Sequence, residues 1–252
     1  MRLAGKVALV TGAGSGFGAE IARRFAAEGA AMLVADVDET NGRSVTGAIA
    51  GAGGRAYFEH CDVARQADIA AAVAATERAF GGLDILVNNA GVSHSRKGLL
   101  EVTEEEFDRI FAVNVKAIYF ATLAAVPRLA ARGGGVILNV SSTAAARPRP
   151  GLTWYNASKG AVSTATQSMA VELAPQKIRV NALCPVIGET ALLETFMGCR
   201  DSPEARASFL AGIPLGRFST PADVAAGALF LASDEAAFLT GVCLPVDGGR
   251  SV

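Results

Sequence analysis

Along the whole chain, short runs of branched and other apolar residues alternate with longer stretches whose apolar residues recur at helical spacing. A strand without polar alternation must be buried on both faces, which happens when crossover helices cover both sides of a parallel sheet. Strands are therefore expected over Lys6–Val10, Ala31–Ala35, Arg55–Glu59, Ile85–Asn88, Gly135–Val140, Arg179–Leu183 and Cys243–Val246. Helices are expected over Gly16–Glu28, Asp38–Ala50, Gln66–Phe80, Thr103–Ala131, Tyr155–Leu173 and Pro221–Ala232. Seven strands and six helices describe one α/β domain over residues 1–252, a doubly wound parallel sheet with helices on both faces. Start signals agree: Thr103-Glu104-Glu105-Glu106 is a capping box, and Thr220 precedes a proline at the first helical position. The long irregular stretch 187–218 carries Leu192, Leu193, Phe196, Met197, Phe209 and Leu210 at helical spacings. It reads either as a lid closing over a ligand or as a docked helical pair with its own core.

Composition removes several function classes. With 51% hydrophobic and 19% charged residues the chain can bury a core, so disorder is excluded. Lys plus Arg (23) against Asp plus Glu (24) leaves a net charge of -1, so no overall field draws it to nucleic acid or an anionic membrane. The amino-terminal apolar run, Val7–Val10, is too short for a signal peptide, and the longest inner one, Ala117–Val126, is bounded by Lys116 and Pro127. A soluble, cytoplasmic chain is expected. Cys61, Cys184, Cys199 and Cys243 form no C-x-x-C pair and fit reduced thiols, and with only His60 and His94 no metal site is expected.

The first strand runs through Thr11-Gly12-Ala13-Gly14-Ser15-Gly16-Phe17-Gly18 straight into a helix. Backbone amides at such a turn face an anion at the positive helix end, so this T-G-x-x-x-G-x-G pattern fits a pyrophosphate. Alone it is also a plain tight connection. The second strand ends at Asp36, 24 residues after Gly12, where a carboxylate accepts both hydroxyl protons of an adenosine ribose. A 2'-phosphate would meet that charge, and neither Ser15 nor Val37 supplies a cation, so NAD is favoured over NADP. Asp62-Val63, after the third strand, reads either as an adenine contact or as a solvated carboxylate. After the fourth strand, Asn88-Asn89-Ala90-Gly91 supplies small residues for close backbone approach and amides able to tie neighbouring strands.

Tyr155-x-x-x-Lys159 puts a phenol and an amine on one helical face. A nearby ammonium favours phenolate; lowering a tyrosine pKa from about 10 by roughly three units takes about 4 kcal/mol. Such a tyrosine serves as acid and base near neutral pH. Ser141-Ser142 end the fifth strand, at the sheet edge where open α/β folds place ligands.

These residues together identify a resemblance. Thr11-Gly12 with Gly16 and Gly18, Asn88-Asn89-Ala90-Gly91, Asn114, Ser142, Tyr155, Lys159 and Asp247-Gly248-Gly249 occur in the order of the short-chain dehydrogenase/reductase family, over essentially the whole chain. The sequence is most similar to the 3-oxoacyl-reductase and the sugar (glucose) or polyol dehydrogenase branches. The resemblance implies a single Rossmann domain, with cofactor residues in about 1–140 and catalytic and substrate residues in about 141–252. It implies hydride transfer between nicotinamide and a secondary alcohol or ketone, with Tyr155 moving the proton, Ser142 bonding the substrate oxygen and Lys159 binding the nicotinamide ribose. Asn114, within V-N-V-K, would anchor a water linked to Lys159. Ser15, Phe17, Asn89, Ala90, Gly91, Pro185, Ile187 and Thr190 would touch the cofactor, and the usual assembly would be a homotetramer. One departure stands out: Val186 follows Pro185 where the family usually has glycine, with Gly188 as a place where the bend is restored. Arg96, Lys97, Arg147 and Arg149 read either as solvated loop cations or as a site for an anionic, carrier-bound 3-oxoacyl group. The apolar residues of 187–218 favour acyl or alicyclic ketones over sugars. A silent dinucleotide sensor would not need the Tyr-Lys pair, and neither would a methyltransferase.

Overall fold

The computed structural model describes residues 1–190 and 192–252. Its strands are β1 Val7–Thr11, β2 Ala31–Asp36, β3 Arg55–His60, β4 Ile85–Asn88, β5 Gly135–Val140, β6 Ile178–Pro185 and β7 Cys243–Val246. All pair in parallel, in the order β3-β2-β1-β4-β5-β6-β7. The helices are α1 Gly16–Ala27, α2 Glu39–Gly51, α3 Gln66–Phe80, α4 Glu104–Phe111, α5 Ala117–Ala131, α6 Thr153–Leu173, α7 Leu193–Met197, α8 Pro203–Leu210 and α9 Pro221–Ala232.

Side chains that alternate along each strand feed two cores. Ala8, Val10, Met32, Val34, Ile85, Val87 and Leu138 face α1, α2 and α9, meeting Ile21, Phe25, Val45, Ile49 and Val224. Leu9, Leu33, Leu86, Ile137 and Val180 face α3, α5 and α6, meeting Ile69, Val73, Phe120 and Leu129. Burying each such side chain contributes roughly 1.5–3 kcal/mol, and both layers depend on the same strands. This double coverage explains why the strands read as unbroken apolar runs.

One expectation is corrected. The helix expected over Thr103–Ala131 is interrupted by a π turn, Ala112–Lys116, between α4 and α5. The backbone ladder widens there, and the buried Asn114 in that turn bonds through its side-chain amide to Val92 outside the helix. By length and composition the stretch Glu104–Ala131 is apolar enough to cross a membrane; here Ala117, Phe120, Ala121 and Leu129 are buried in the second core instead.

The stretch after β6 is a helical pair with its own core: Val186, Ile187, Leu193, Met197, Ile213 and Phe218 pack together, with Phe196 and Phe209 against them. Val186 sits in this core with its amide bonded to the Val246 carbonyl, 3.2 Å, so no glycine is required there. The requirement falls at Gly188, where a Cβ would lie 2.6 Å from the Phe17 ring and 2.8 Å from Ser219 Oγ.

Candidate active site

The chain winds from β1 through β2 to β3 on one side and then crosses back to place β4 on the other side of β1, a reversal that opens a crevice at the carboxyl edge. The glycine turn fills it. Gly12 and Gly16 adopt left-handed backbone, φ 62° and 52°, which other residues rarely hold. A Cβ on Gly12 would lie 2.8 Å from Ala90 Cα, and one on Gly18 would lie 2.2 Å from the Gly12 carbonyl oxygen. Asp36 accepts from the amides of Gly14, 2.7 Å, and Asp38, 2.9 Å, so the carboxylate braces the turn it faces. Thr190 closes the other side, within 3.5 Å of where a Gly16 Cβ would stand.

The β4 loop is tied down by its amides. Asn89 Nδ2 donates to the carbonyls of Thr11 and Gly12, both 2.9 Å, while Thr11 Oγ1 accepts from Asn89 and Ala90. Asn88 donates to Asn139, and Asn139 to Thr166, a buried chain from β4 through β5 to α6. Asn114 uses its whole amide: Oδ1 accepts from Val92, and Nδ2 donates to the Val92 carbonyl and to Ser158. Each bond satisfies a buried polar group that would otherwise cost about 1–3 kcal/mol.

Ser142, Tyr155 and Lys159 converge on one cavity of about 600 Å³ together with the glycine turn and Asp36. Ser142 Oγ is oriented by the Ala144 amide, 3.1 Å. Tyr155 is buried in the first turn of α6, its ring 5.0 Å from that of Phe196. Lys159 Nζ donates to the Val140 carbonyl, 2.8 Å, and stands 5.8 Å from the Tyr155 ring centre. Burial pushes the phenol up to about 12, partly offset by the Ser142 hydroxyl and then by the Arg149 charge. The same burial brings Lys159 down to about 8. The expected depression of the phenol by its lysine is therefore not found in the free chain: the amine is held by a backbone carbonyl and is itself disfavoured as a cation.

A family model described as enoyl-(acyl carrier protein) reductase matches residues 12–251. A 4-formylbenzenesulfonate dehydrogenase of Comamonas testosteroni is 51% identical over the full length of both chains. A 2,5-dichloro-2,5-cyclohexadiene-1,4-diol dehydrogenase of Sphingobium indicum is 42% identical, covering 100% of this chain and 98% of that one. A crystal structure of a 3-ketoacyl-(acyl-carrier-protein) reductase from Brucella melitensis, complexed with NADH, matches with a TM-score of 0.93 and 49% identity, covering 99% of this chain and 100% of that one. The chain belongs to the short-chain dehydrogenase/reductase family. It is an oxidoreductase of that family, acting with a nicotinamide cofactor on an alcohol or ketone.

Of the residues read from sequence, Gly12, Ser15, Gly16, Phe17, Asp36, Asp62, Val63, Asn89, Ala90, Gly91, Ser142, Tyr155, Lys159, Pro185, Ile187 and Thr190 all line the cavity. Thr11, Gly18 and Asn114 stand behind its wall; they hold the short-chain dehydrogenase scaffold through the contacts above rather than lining the space. Asp62 also caps its own turn, accepting from Ala64 at 3.0 Å. Sequence reasoning missed Leu152, Val92 and Val113 as lining residues, and no local pattern marks them. Leu192 and Phe196 had a signal, their helical spacing.

Proposed function

We propose that this chain uses NAD in preference to NADP and interconverts a ring-bearing alcohol with its carbonyl compound, with Tyr155 as the acid and base. The observation that carries the reading is the single cavity with Asp36 at one end and Ser142, Tyr155 and Lys159 at the other. The glycine turn leaves room for backbone to approach a pyrophosphate, and Asp36 faces that room as an acceptor for ribose hydroxyls. When bound, the cofactor supplies the hydride. The remaining work belongs to the protein. Tyr155 passes a proton to or from the substrate oxygen, Ser142 donates a hydrogen bond to that oxygen as charge grows there, and Lys159 holds the ribose beside them. Asn114 keeps the β4 loop and α6 in register around them.

The substrate end is walled by Leu152, Val186, Leu192 and Phe196, which supports a flat or alicyclic apolar ring over a sugar. The names of the relatives from Comamonas testosteroni and Sphingobium indicum both specify six-membered carbon rings, which supports the same class. A 3-oxoacyl substrate is the second reading, favoured by the Brucella melitensis reductase. The four cysteines are free thiols, which suits a reducing, cytoplasmic setting. Exposed Tyr119 and Leu123 on α5 and Val171 on α6 suit a homotetramer. A panel of benzylic and alicyclic alcohols, polyols and 3-oxoacyl thioesters, assayed with NAD and NADP in both directions, tests the reading. Turnover of ring alcohols with NAD is expected; preference for NADP, or for polyols, would overturn it.

A further inference from the structure

Four cations cluster in sequence near the site, and the structure sorts them. Lys97 is neutralised by Glu106, with Nζ 2.7 Å from both carboxylate oxygens. Arg147 reaches outward to the carbonyls of Arg250 and Val252. Arg96 donates to the Pro150 carbonyl at 3.3 Å. Arg149 alone of the four lines the cavity, beside Leu152, Tyr155 and Phe196.

Its setting is built. The guanidinium lies over the Phe209 ring, 5.2 Å from its centre, and the Arg149 carbonyl accepts from Asn156 Nδ2, 2.9 Å, one residue from Tyr155. Among the described residues no carboxylate lies within 4.0 Å of it; the charged groups that influence it are Arg250 and Arg96, of like sign, and the Tyr155 phenol. Farther along the chain Arg206 is paired with Asp201 and Glu189, and Arg217 with Asp223, while Arg109 lines the same cavity from α4. A half-buried guanidinium fixed by an aromatic face and surrounded by its own sign needs an anion to complete it.

We infer that Arg149 is a specificity-determining residue that binds an anionic group, a sulfonate or carboxylate, on the ring of the substrate, at the end remote from the reacting oxygen. The inference rests on the oxidoreductase reading above and names its substrate class. Desolvation beside Phe209 and Phe196 strengthens such a charge-assisted contact, whereas a neutral ring gains nothing from it.

The test compares benzaldehyde with 4-formylbenzenesulfonate, and acetophenone with 4-acetylbenzenesulfonate, reduced by NADH with wild type, Arg149→Gln and Arg149→Lys. Wild type is expected to favour the sulfonated member tenfold or more in kcat/KM. Arg149→Gln is expected to abolish that preference through the KM of the sulfonated member, with any change in kcat from the lost charge beside Tyr155 shared by the neutral and sulfonated members, and Arg149→Lys to keep much of the preference. In parallel, benzenesulfonate is titrated calorimetrically into each NADH complex. Binding to wild type that disappears in Arg149→Gln supports the inference even where no carbonyl compound is reduced, an outcome that would instead remove the oxidoreductase reading for this class. An unchanged preference, equal losses on neutral and sulfonated members, or no benzenesulfonate binding by wild type overturns it.

Discussion

In the free chain Tyr155 keeps its proton far above neutral pH because burial outweighs the Ser142 hydroxyl and the Arg149 charge. In the role proposed for Tyr155, the protonated phenol suits carbonyl reduction and the phenolate alcohol oxidation. Oxidation is therefore expected to climb with pH on the alkaline side while reduction holds through neutrality. Removing the hydroxyl in Ser142→Ala takes away the largest lowering influence, so the oxidation profile should move to higher pH, and kcat should fall about 10²–10³-fold, as when one donor to a developing charge is lost. A profile that stays in place would remove Ser142 from the proton path. Tyr155→Phe should lose nearly all turnover yet bind NADH as before, measured by fluorescence titration; substantial residual turnover would reject the assignment. That Ser142, Tyr155 and Lys159 share one cavity was legible because their types and spacings are unusual together. The destination of the lysine amine was not, since the Val140 carbonyl that holds it lies 19 positions away in sequence.

At the scale of elements, the strands fall within a residue or two of expectation; the inner ones are buried on both faces and their composition leaves little choice. The break at Ala112–Lys116 was illegible: the side-chain amide of Asn114 within it pairs with the backbone of Val92, 22 residues earlier, and no helical period records such a partner. Substituting Asn114 by Ala should loosen the β4 loop and α6 together, which hydrogen exchange of Val92 and of the first turns of α6 would detect. The cap of α9 was readable, and it is stronger than its motif suggests. Thr220 Oγ1 accepts from the Asp223 amide, and Asp223 in turn accepts from Thr220 and from Arg217, which holds its carboxyl well below the usual carboxylate range. Thr220→Ala should cost about 1 kcal/mol in urea unfolding. A carboxyl with a depressed native pKa stabilises above its unfolded value of about 3.9 and loses that contribution as pH falls. Asp223→Asn should thus be less stable than wild type at pH 7, with the difference shrinking on acidification.

For the molecule as a whole, a parallel sheet layered on both sides followed from the alternation of strands and helices, whereas the order β3-β2-β1-β4-β5-β6-β7 is set by contacts between elements far apart in sequence. The separation of cavity-lining residues from those behind the wall did not, because it depends on which side of a turn each backbone group faces. The outer faces of α5 and α6 carry Tyr119, Leu123 and Val171 into solvent, 59%, 49% and 77% exposed. Leu123→Glu should convert a tetramer to smaller species in light scattering while leaving the fold intact by circular dichroism; a wild-type monomer would dispose of the assembly. Under the NAD preference proposed above, redesigning the chain to accept a phosphorylated coenzyme meets an obstacle in the brace at Asp36. The carboxylate that would repel the extra phosphate is the same one that anchors the Gly14 amide. Deleting it would slacken the phosphate loop for every dinucleotide alike, so a successful exchange must leave a neutral acceptor at position 36 and bring its positive charge in at the exposed neighbour, Val37.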